Sequence, residues 1–483
     1  MAARVPSNRR VRIIATLGPA SRDLLTLKRI VREGVTVIRL NFSHGSLAIH
    51  EENIQRIRAI EKELGRHIAV LQDLPGPKIR TGPTKDGLPV EAQPGDLITV
   101  TTRPVAGQPG LISTSYKALP HDVKRGHRIL IDDGRIALEV LSTSSRDVKC
   151  KVVYGGQIGE HKGINLPGVD LSARNPTRDD IAFARFGVEH GVDYVALSFV
   201  RNAGEVQHLS RYLRKLKADI PIIAKIERPE AMDDLDGVLD AADGVMVARG
   251  DLAVETSSED VPIFQKRIIS VARERGKLAI TATQMLDSMM QAPTPTRAEA
   301  SDVANAVLDG SDALMLSGET AVGRFPVDSV RTMSAIISKI ENSLADGADT
   351  PCVYDPRSRV DFTEAAAHSA CAAARDLSAK AVVVYTWSGR TALTVANYRP
   401  SVPIIALSAR HESLCRMGLY WGVIPVKIKP FKSVERLLKG GEEALLRERL
   451  VKKGDIVVLL VGSTLLPGTT NVMKIHRIGS ATA

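Results

Sequence analysis

The sequence has few aromatic residues, few cysteines and no long apolar run, and each shortage excludes a class of protein. Aromatic residues make up 4% of the 483 residues, whereas nucleic-acid-binding chains commonly interleave aromatic residues with basic blocks. The four cysteines, Cys150, Cys352, Cys371 and Cys415, form no CxxC pair, which excludes a disulfide scaffold and argues against a structural zinc site. The longest apolar run, Ile456 to Val461, is far shorter than the roughly 20 residues that span a membrane. We therefore expect a cytoplasmic protein that binds neither a membrane nor a nucleic acid.

Basic residues outnumber acidic ones, and they are scattered along the chain rather than grouped. The chain has 65 Lys and Arg against 55 Asp and Glu, which gives a formal net charge of +10. Hydrophobic residues make up 44% and charged residues 25%, as is usual for a globular enzyme. At roughly 150 residues per domain, the length predicts about three domains. The scattered positive charge favours small anionic substrates, such as phosphates and carboxylates, over a polynucleotide.

Short β-branched runs recur along the chain, and stretches with the periodicity of an amphipathic helix lie between them. Four of these stretches are Leu47 to Leu64, Ala203 to Leu216, Pro262 to Arg275 and Arg297 to Leu308. Apolar runs without alternation are typical of parallel strands that are buried on both faces. Eight strand–helix units predict an α/β fold built on a TIM (β/α)8 barrel. The eight runs are Arg12 to Thr16, Thr36 to Asn41, Ile68 to Asp73, Tyr194 to Val200, Ile222 to Glu227, Val245 to Asp251, Leu278 to Thr283 and Ala313 to Ser317.

Polar or charged residues stand at the ends of most of these runs. Catalytic groups of a barrel lie at the carboxyl ends of its strands, so these residues are candidates for one common site. A capping or surface role is the alternative for any single position, and convergence of several run ends weighs against it. The residues are Arg39 and Asn41, Asp73, Ser198, Lys225 and Glu227, Arg249 and Asp251, Thr283, and Ser317.

Two further domains are predicted besides the barrel. The region from about Thr81 to Leu171 is rich in Gly and Pro and alternates with period two, which predicts an inserted all-β domain. This domain would leave the barrel at its mouth and could act as a lid that excludes water. A polar stretch from Asp346 to Arg359 predicts a linker, and the strands and helices that alternate after it predict an open α/β domain. The predicted boundaries are 1–80 and 172–346 for the barrel, 81–171 for the lid domain and 347–483 for the C-terminal domain.

The loop from Thr386 to Thr391 stands between a predicted strand and a predicted helix of the C-terminal domain. Backbone N–H groups at a helix N-terminus, hydroxyl groups and Arg390 would together suit a phosphate group. A capped turn explains the same residues equally well. A second glycine-bearing loop, Gly462 to Gly468, follows the last predicted central strand and would close over the same ligand.

Acidic and basic residues meet at two neighbouring run ends. Lys225 and Glu227 are two residues apart, so on a strand both would face the same side. Asp251 adds a second carboxylate on the next run, and two carboxylates with room for substrate oxygens and water suit Mg²⁺. Gly250 would let a ligand carboxylate approach the backbone amides. An ordinary salt bridge between Lys225 and one acid is the alternative.

Several strings that contain these residues match one known family. They are Ile38 to Gly45, Lys225 to Glu227, Val247 to Leu252, Ala282 to Leu286, Thr296 to Glu299 and Met315 to Thr320. With them the sequence resembles the pyruvate kinases over nearly the whole chain, including the inserted lid and the C-terminal domain. The resemblance implies transfer of the phosphoryl group of phosphoenolpyruvate to ADP, which gives pyruvate and ATP in the final step of glycolysis.

The resemblance also implies how the substrate and its metal are held. Glu227 and Asp251 would hold Mg²⁺ or Mn²⁺, while the amides of Gly250 and Asp251 would hold the substrate carboxylate together with Thr283. Lys225 and Arg39, which would also contact the substrate, would neutralise charge on the phosphoryl oxygens and on the developing enolate.

Enolpyruvate must then gain a proton, and the family pattern points to two hydroxyl groups. Thr283 and Ser317 are both candidates for the proton route. A hydroxyl has too high a pKa to be a strong acid itself, so we expect a relay through water. The sequence does not distinguish the two residues.

For the nucleotide, the family pattern points to His44, Arg80 and Lys162. Arg80 lies at the hinge into the lid and Lys162 lies within it, so closure on the ADP phosphates would couple lid movement to catalysis. Ile49 stands where some relatives have an aromatic residue, which leaves the choice of nucleoside diphosphate open.

The main departure from the family pattern is Lys78. Many members have an acidic residue there, and those enzymes need K⁺, which is bound by groups that match Asn41, Ser43, Asp73 and the carbonyl group of Leu74. A lysine ammonium group would supply the missing positive charge from within the chain. We therefore expect Lys78 to replace K⁺, so that the enzyme needs Mg²⁺ or Mn²⁺ but little or no K⁺. The alternative is that Lys78 points to solvent and K⁺ still binds.

The C-terminal loop matches the segment that binds the phosphate of an allosteric activator in this family. The matching residues are Thr386, Ser388, Gly389, Arg390 and Thr391. The surrounding sequence resembles the bacterial branch that responds to AMP or sugar monophosphates more than the branch that uses fructose 1,6-bisphosphate. Family members are usually homotetramers, and a homotetramer is expected here.

Two other classes of function remain as alternatives. Lyases and aldolases that handle a pyruvate enolate with Mg²⁺ share the barrel and the carboxylates, but they have no use for a large lid or for basic residues that face ADP. A sensor or nucleic-acid-binding relative without catalysis would show damage at Lys225, Glu227, Asp251 or Thr283, and all four are intact. An assay of ADP consumption distinguishes a kinase from both of these classes.

Overall fold

The computed structural model describes residues 9–345, 361–430, 433–463 and 470–480. The first part of the chain forms three parallel strands and two helices that alternate with them. The side chains of Asp23 and Ser46 cap the two helices, because each accepts a hydrogen bond from a backbone N–H group of the first turn. These elements are β1 (Arg12–Thr16), α1 (Leu24–Arg32), β2 (Val37–Asn41), α2 (Leu47–Leu64) and β3 (Ala69–Leu74).

After β3 the chain leaves the barrel and forms a separate β domain. Its strands make a six-stranded sheet in the order β11-β7-β8-β9-β5-β6 and a two-stranded sheet of β10 and β4. Buried and exposed residues alternate along β9, as expected for a sheet with one face on a core and one in solvent. The elements are β4 (Val90–Ala92), β5 (Leu97–Thr101), β6 (Leu111–Ser113), α3 (Leu119–Asp122), β7 (Arg128–Ile131), β8 (Ile136–Thr143), β9 (Asp147–Tyr154), β10 (Gly156–Ile158) and β11 (Ile164–Asn165).

The chain then returns and completes the barrel. Capping boxes at Thr177 and Thr296 begin two of the helices, since each threonine and the acid three residues later satisfy each other's backbone N–H groups. The elements are α4 (Arg178–Glu189), β12 (Tyr194–Leu197), α5 (Ala203–Lys215), β13 (Ile222–Ile226), α6 (Glu230–Asp233), α7 (Leu235–Ala241), β14 (Gly244–Ala248), α8 (Arg249–Glu255), α9 (Val261–Glu274), β15 (Leu278–Ala282), α10 (Arg297–Leu308), β16 (Ala313–Leu316), α11 (Gly318–Ala321) and α12 (Pro326–Ala345).

Eight of these strands close into a parallel barrel in the order β1-β16-β15-β14-β13-β12-β3-β2. Almost every residue of these strands is buried, which explains why the runs show no polar alternation. All carboxyl ends meet at one mouth, from which the β domain is inserted after β3. The predicted barrel is confirmed, and each of its eight runs overlaps a strand.

The C-terminal domain is an open sheet with helices around it. Its strands run in the order β19-β18-β17-β20-β21, where the first four are parallel and β21 is antiparallel to β20. The predicted α/β architecture is confirmed, although β21 was not anticipated. The elements are α13 (Phe362–Asp376), β17 (Ala381–Tyr385), α14 (Arg390–Asn397), β18 (Ile404–Ser408), α15 (His411–Arg416), β19 (Val423–Lys427), α16 (Val434–Arg447), β20 (Ile456–Gly462) and β21 (Thr470–Arg477).

The C-terminal domain docks against the amino ends of the barrel strands, opposite the mouth. Arg12, at the start of β1, is buried and donates to the carbonyl groups of Tyr420 (2.8 Å) and Val423. The hydroxyl group of Tyr194, at the start of β12, donates to the carbonyl of Arg416 at 2.8 Å. The barrel mouth is therefore left to the lid domain.

Parts of the predicted organisation fall outside the described residues. The predicted linker from 346 to 359 lies in the gap before α13, and most of the loop from 462 to 468 lies in the gap before β21. The exact domain boundaries stay a prediction. Among the residues with described positions, no helix has both the length and the apolar character needed to cross a membrane.

Candidate active site

Asp73 lies at the centre of a buried charge cluster at the barrel mouth. It stands near the end of β3, and one of its carboxylate oxygens (Oδ2) lies 2.6 Å from Nε of Arg39, which is on β2. The other (Oδ1) lies 3.2 Å from Nζ of Lys225, which is on β13. Burial opposes ionisation of Asp73, but Lys225 and Arg39 outweigh it and lower the pKa of Asp73. The carboxylate thus holds two cations at fixed positions on two strands.

Lys225 is held by two acids and a hydroxyl group. Its ammonium group lies 2.9 Å from Oε1 of Glu227, and it donates to the hydroxyl oxygen of Ser198 at 2.6 Å. Ser198 in turn donates to the carbonyl group of Leu74 at 2.7 Å. Burial alone would lower the pKa of Lys225, but Asp73 and Glu227 raise it, so the ammonium stays charged. The prediction that Lys225 and Glu227 face the same side agrees with this contact.

Glu227 is a buried carboxylate whose negative charge is offset by nearby cations less than that of Asp73. Its second oxygen accepts the backbone N–H of Phe199 at 2.6 Å. Burial raises the pKa of Glu227 to about 7, because Lys225 offsets only part of the cost and Asp251 adds repulsion. A further cation beside Glu227 would favour the ionised carboxylate.

Asp251 is placed by a helix rather than by a strand. The strand β14 ends at Ala248, before the end of the predicted run, and α8 begins at Arg249. Burial raises the pKa of Asp251, while Lys225 and Lys78 oppose the rise. Within the described part of the chain, the Asp251 carboxylate makes no hydrogen bond or ion pair, so its oxygens are available to a ligand.

The amide groups of the first turn of α8 meet Thr283 of the next strand end. The backbone N–H of Gly250 donates to Oγ1 of Thr283 at 2.8 Å, and that hydroxyl donates to the carbonyl of Ala282 at 2.6 Å. A Cβ atom added to Gly250 would lie 3.6 Å from Thr283, which is ordinary contact. Packing of the protein therefore does not require glycine here, and the missing side chain leaves room above the amides.

Two consecutive residues with a strained backbone stand at the end of β15. Thr283 and Gln284 both have positive φ angles, 66° and 53°, a conformation that costs free energy and is common at functional sites. Arg249 supports it, since its Nη2 donates to the carbonyl of Thr283 at 2.7 Å and its Nη1 lies 2.6 Å from Oδ1 of Asp302. Sequence reasoning missed Asp302, because an acid in the middle of a helix gives no signal of its own.

Ser317 follows β16 and carries a buried hydroxyl group with no hydrogen-bond partner among the described residues. Its backbone N–H donates to Glu319 at 2.7 Å, and the same carboxylate accepts the N–H of Leu286 at 3.1 Å. Burial raises the pKa of Glu319, and these N–H groups partly offset the rise. Glu319 was missed as a positioning residue, although it lies inside a string that matched the family.

The lid domain contacts the barrel beside Asp251. Nδ2 of Asn165, on β11, donates to Glu255 at the end of α8 at 2.8 Å. Arg228 donates to the carbonyl of Val169 at 3.0 Å. Asp133, in the turn between β7 and β8, is close enough to raise the pKa of Asp251. Sequence reasoning missed Asp133, because an Asp-Asp-Gly string between two strands indicates only a hairpin turn.

Lys78 lies in the cleft between the barrel mouth and the lid. Its side chain is exposed to solvent, as the alternative prediction for Lys78 expected. Partial desolvation and the like charge of Lys225 lower the pKa of Lys78, while Asp73 opposes them. Neither a hydrogen bond nor an ion pair within 4.0 Å holds its ammonium group among the residues whose positions are described.

The expected nucleotide residues fall into two groups. Burial, followed by the positive charges of Lys78 and Arg80, lowers the pKa of His44, so these three side chains share one region. Nη1 of Arg80 donates to the carbonyl of His161 at 2.8 Å. Lys162 is instead paired within the lid, where its Nζ lies 2.9 Å from Oδ1 of Asp132.

The groups expected to bind a monovalent cation lie beside the same cluster but already have partners. The backbone N–H of Ser43 donates to Oδ1 of Asn41 at 3.1 Å. The carbonyl of Leu74 accepts from Ser198, and the Asp73 carboxylate contacts Arg39 and Lys225. Asp73, the acid among these groups, is therefore already paired with Arg39 and Lys225.

The oxygen groups of the site fit a divalent cation. Glu227 is buried and Asp251 is half-buried on a neighbouring element, and the like charge of Asp251 raises the cost of ionising Glu227. Asp251 has free oxygens, and these ligands match the preference of Mg²⁺ for one or two carboxylates with waters and phosphate oxygens.

The C-terminal loop from Thr386 to Thr391 is ordered by its own hydrogen bonds. Gly389 has a φ angle of 91°, and its N–H donates to Oγ1 of Thr386 at 3.0 Å. The hydroxyl of Thr391 lies 2.9 Å from that of Thr470. The Arg390 side chain is 82% exposed and has only a distant acidic neighbour, Asp361 at 3.9 Å. Thr386 closes the turn, whereas no side chain caps the start of α14. Arg390 faces solvent.

Comparisons with known proteins agree with this architecture. Residues 8–330 match the family "Pyruvate kinase, barrel domain", and residues 364–476 match "Pyruvate kinase, alpha/beta domain". The pyruvate kinase of Mycobacterium tuberculosis (strain H37Rv) is 42% identical over 474 residues, which cover 98% of this chain and 99% of that protein. The pyruvate kinase of Corynebacterium glutamicum is 41% identical over 476 residues, with 98% and 99% covered.

A solved structure leads to the same family. The crystal structure of a pyruvate kinase from Cryptosporidium parvum superposes with a TM-score of 0.89 at 35% identity, covering 98% of this chain and 96% of that one. Sequence and structure thus agree over the barrel, the inserted sheets and the C-terminal domain. The chain is a phosphotransferase and belongs to the pyruvate kinase family.

Proposed function

We propose that the chain transfers the phosphoryl group of phosphoenolpyruvate to ADP, giving pyruvate and ATP. The observation that carries the proposal is the buried cluster in which Asp73 fixes Arg39 and Lys225 beside the carboxylates of Glu227 and Asp251. Phosphoryl transfer needs cations at fixed positions around the transferring group more than it needs covalent chemistry. This cluster supplies them at the barrel mouth.

Arg39 and Lys225 act by charge. Both are held by Asp73 and are largely buried, so they need little rearrangement when charge develops on the phosphoryl oxygens and on the enolate. Glu227 and Asp251 would hold Mg²⁺ or Mn²⁺. The bound dication would neutralise phosphate and enolate oxygens as a Lewis acid.

The substrate carboxylate fits the start of α8. The N–H groups of Gly250 and Asp251 lie in the first turn of this helix, and N–H groups at a helix start favour an anion. The N–H of Gly250, which donates to Thr283, would exchange this contact for the substrate. Thr283 would add its hydroxyl group, which the N–H of Gly250 already orients. The strained backbone at Thr283 keeps that hydroxyl at the strand end.

The proton for enolpyruvate is assigned to a route through Ser317. The hydroxyl of Thr283 is engaged on both sides, by the N–H of Gly250 and the carbonyl of Ala282. The hydroxyl of Ser317 is buried and unpartnered among described residues, so it is able to donate to a water or a ligand. Water would in turn resupply its proton.

ADP is assigned to the cleft between barrel and lid. His44 and Arg80 border this cleft near Lys78, and a neutral His44 would not repel the cations that bind phosphate. Lys162 would exchange Asp132 for a nucleotide phosphate when the lid closes. That exchange would couple lid closure to nucleotide binding.

Lys78 is proposed to replace K⁺. Its ammonium group lies in the field of Asp73, Glu227 and Lys225, and the acid of the monovalent-cation set is already paired with two protein cations. A metal ion would have to displace these contacts or share them. Magnesium or manganese would then be the only added cation that the reaction requires.

One assay tests the reaction and the cation requirement together. Pyruvate formation is followed with phosphoenolpyruvate, ADP and Mg²⁺ in buffer free of K⁺, Na⁺ and NH₄⁺, and K⁺ is then added. Full activity before the addition is expected. Activity only after the addition would support the proposed kinase reaction but refute the role of Lys78. The absence of ADP-dependent pyruvate formation under either condition would refute the kinase reaction.

The chain is further proposed to be a homotetramer that is regulated through the loop from Thr386 to Thr391. The exposed Arg390 and the free end of α14 support binding of a phosphate group from AMP or a sugar phosphate. Calorimetric titration of the protein with AMP and with glucose 6-phosphate, compared with the Arg390→Ala variant, tests this site. Sedimentation velocity tests the tetramer.

A further inference from the structure

Four potential metal ligands converge at the junction between the barrel and the C-terminal domain, far from the residues assigned to catalysis. Glu61 lies near the end of α2 and His67 in the loop that follows, whereas His411 and Cys415 lie one turn apart on α15. Their donor atoms all lie within 4.8 Å of one another. We propose that Glu61, His67, His411 and Cys415 form a site for Zn²⁺ that clamps the C-terminal domain to the barrel.

The spacing of the donor atoms fits a tetrahedral ion. Oε1 of Glu61 lies 3.2 Å from Sγ of Cys415, 3.3 Å from Nδ1 of His67 and 3.5 Å from Nε2 of His411. Sγ of Cys415 lies 3.5 Å from the same nitrogen of His411. Metal–ligand bonds of about 2.0–2.3 Å at tetrahedral angles give ligand–ligand separations of about 3.3–3.6 Å. These four separations lie at or close to this range, and the other two, from His67 to His411 and to Cys415, are at most 4.8 Å.

Hydrogen bonding alone accounts poorly for the arrangement. The thiol of Cys415 and the two imidazole rings all approach the same oxygen of Glu61. That oxygen has two lone pairs, so it cannot accept well from three donors at once. One metal ion at the centre would satisfy all four groups together.

The chemistry of the ligands selects the metal. One thiolate, two imidazoles and one carboxylate in a tetrahedral arrangement suit Zn²⁺, whereas Mg²⁺ prefers oxygen ligands only. Four protein ligands leave no open position, which is the pattern of a structural zinc site rather than a catalytic one. When the ion binds, the thiol proton of Cys415 leaves to solvent.

The charges around the site also balance. Arg58 lies beside the cluster, with Nη1 3.1 Å from the other oxygen of Glu61 and 3.8 Å from Sγ of Cys415. Its Nη2 lies 2.8 Å from Oδ2 of Asp193, which it neutralises. A dication would therefore face one thiolate and one carboxylate, and the guanidinium and Asp193 would offset each other.

The local fold brings the four residues together from two domains. Gly65 ends α2 in the left-handed conformation (φ 62°), so the chain turns back and returns His67 to Glu61. His411 and Cys415 are four residues apart on a helix and so face the same side. No CxxC or HxxxH spacing marks such a site, which explains why the sequence pattern argued against structural zinc.

Cobalt substitution tests the site by a signal that only a thiolate ligand gives. The full-length protein is stripped with a chelator, dialysed into excess Mg²⁺ and titrated with Co²⁺. We expect one Co²⁺ per chain with a thiolate-to-cobalt charge-transfer band in the near ultraviolet, and Zn²⁺ should displace it. Cobalt at the carboxylates of the barrel mouth cannot produce this band.

Matched variants identify the ligands. Cys415→Ser should abolish the band, and His411→Gln, which changes a side chain that is 48% exposed, should weaken Co²⁺ binding at least tenfold without unfolding the protein. Cys371→Ser in α13 and His208→Gln in α5 should bind Co²⁺ as the parent protein does. Absence of the band in the parent protein, or its persistence in Cys415→Ser, would overturn the proposal.

Thermal unfolding gives a second readout that does not depend on the cobalt absorption band. Zn²⁺ should raise the unfolding midpoint of the parent protein and of His208→Gln, because an ion that binds only the folded state stabilises it. The midpoint of His411→Gln should respond much less. An equal response in both histidine variants would contradict a site that includes His411.

Discussion

At the residue scale, Lys78 differs from Lys225 in what surrounds its ammonium group. Lys225 contacts Asp73, Glu227 and Ser198 directly, whereas Lys78 reaches the same acids only through the electrostatic field. A charge without direct contacts is easy to replace by an ion from solvent. For this reason we propose Lys78 as the position at which a cation requirement can be switched.

Replacing Lys78 by Glu should create a requirement for K⁺. Without its positive charge the cluster would stabilise the transferring group less, and we expect activity in K⁺-free buffer to fall on the order of 10²-fold. Added K⁺ should restore most of it, as measured by pyruvate formation. Lys85→Glu, on an exposed turn of the lid, is the matched control and should stay independent of K⁺. Unchanged activity of Lys78→Glu without K⁺ would contradict the assignment.

The protonation of His44 should respond to the same lysine. Burial and the positive charges of Lys78, Arg80 and Arg39 lower the pKa of His44, so in Lys78→Met the pKa of His44 should rise toward the ordinary value for histidine. The sign follows because removing a positive neighbour favours the protonated imidazole. A pH titration of ¹³C-labelled histidine by NMR measures it, with His44→Gln to assign the signal. No change in the midpoint would place Lys78 away from His44.

Ser317 and Thr283 should affect different steps of the reaction. Ser317→Ala removes the proposed proton donor, and we expect exchange of deuterium into the methyl group of pyruvate to slow by about 10²-fold. Thr283→Ala removes a group assigned to the substrate carboxylate, so it should raise KM for phosphoenolpyruvate more than it slows exchange. NMR of pyruvate in D₂O with ATP and Mg²⁺ measures the exchange. A Ser317→Ala variant that exchanges at the parent rate would return the role to Thr283.

At the element scale, the position of Asp251 and Thr283 depends on how closely β14 approaches β15. A Cβ atom at Gly244 would lie 2.7 Å from Cβ of Leu278 and 2.9 Å from its carbonyl oxygen. Glycine at the start of β14 therefore allows the two strands to pair at their amino ends. The same pairing continues to Ala248 and Ala282 at the mouth.

Gly244→Ala should consequently destabilise the barrel. The backbone of β15 cannot move away as a flexible side chain can, so we expect a loss of about 1–3 kcal/mol in the free energy of unfolding. Activity should fall as well, since α8 follows β14 directly. Gly163→Ala is the control, because a Cβ atom there has no neighbour within 4 Å. Urea unfolding measures both variants, and equal midpoints would contradict the packing argument.

The elements show what sequence patterns predict and what they miss. The helices Leu47–Leu64 and Arg297–Leu308 have the predicted bounds, because caps and apolar periodicity are local signals. The end of β14 was placed too late, because the predicted run was extended to Asp251 although the backbone already turns into α8 at Arg249. At the site, the Lys225–Glu227 contact follows from strand geometry. The lid contact at Asp133 depends on how two domains dock, which no local pattern contains.

At the scale of the whole molecule, the two ends of the barrel have separate partners. The mouth faces the lid, whereas the amino ends of the strands bind the C-terminal domain through buried side chains such as Arg12 and Tyr194. A change at the amino ends of the barrel strands should therefore affect stability and regulation more than it affects the reaction at the mouth.

Arg12→Met should weaken the docking of the C-terminal domain. The carbonyl groups of Tyr420 and Val423 would lose their donor in a buried place, and we expect a cost of about 2 kcal/mol in the free energy of unfolding. Arg32→Met, on the exposed face of α1, should cost far less. Urea unfolding followed by tryptophan fluorescence measures both, because Trp421 lies in this junction. Equal stability of the two variants would contradict a docking role for Arg12.

The partners of β1 have a consequence for synthesis on the ribosome. Arg12 donates to a carbonyl group that lies 408 positions later in the chain, and Thr16 bonds to Thr320, 304 positions later. At about 5–20 residues per second, translation of the 408 positions after Arg12 takes about 20–80 s. The edge of β1 stays unpaired until β16 has been made, and Arg12 stays uncovered until the C-terminal domain follows. The barrel therefore cannot close before its last strand, β16, has left the ribosome.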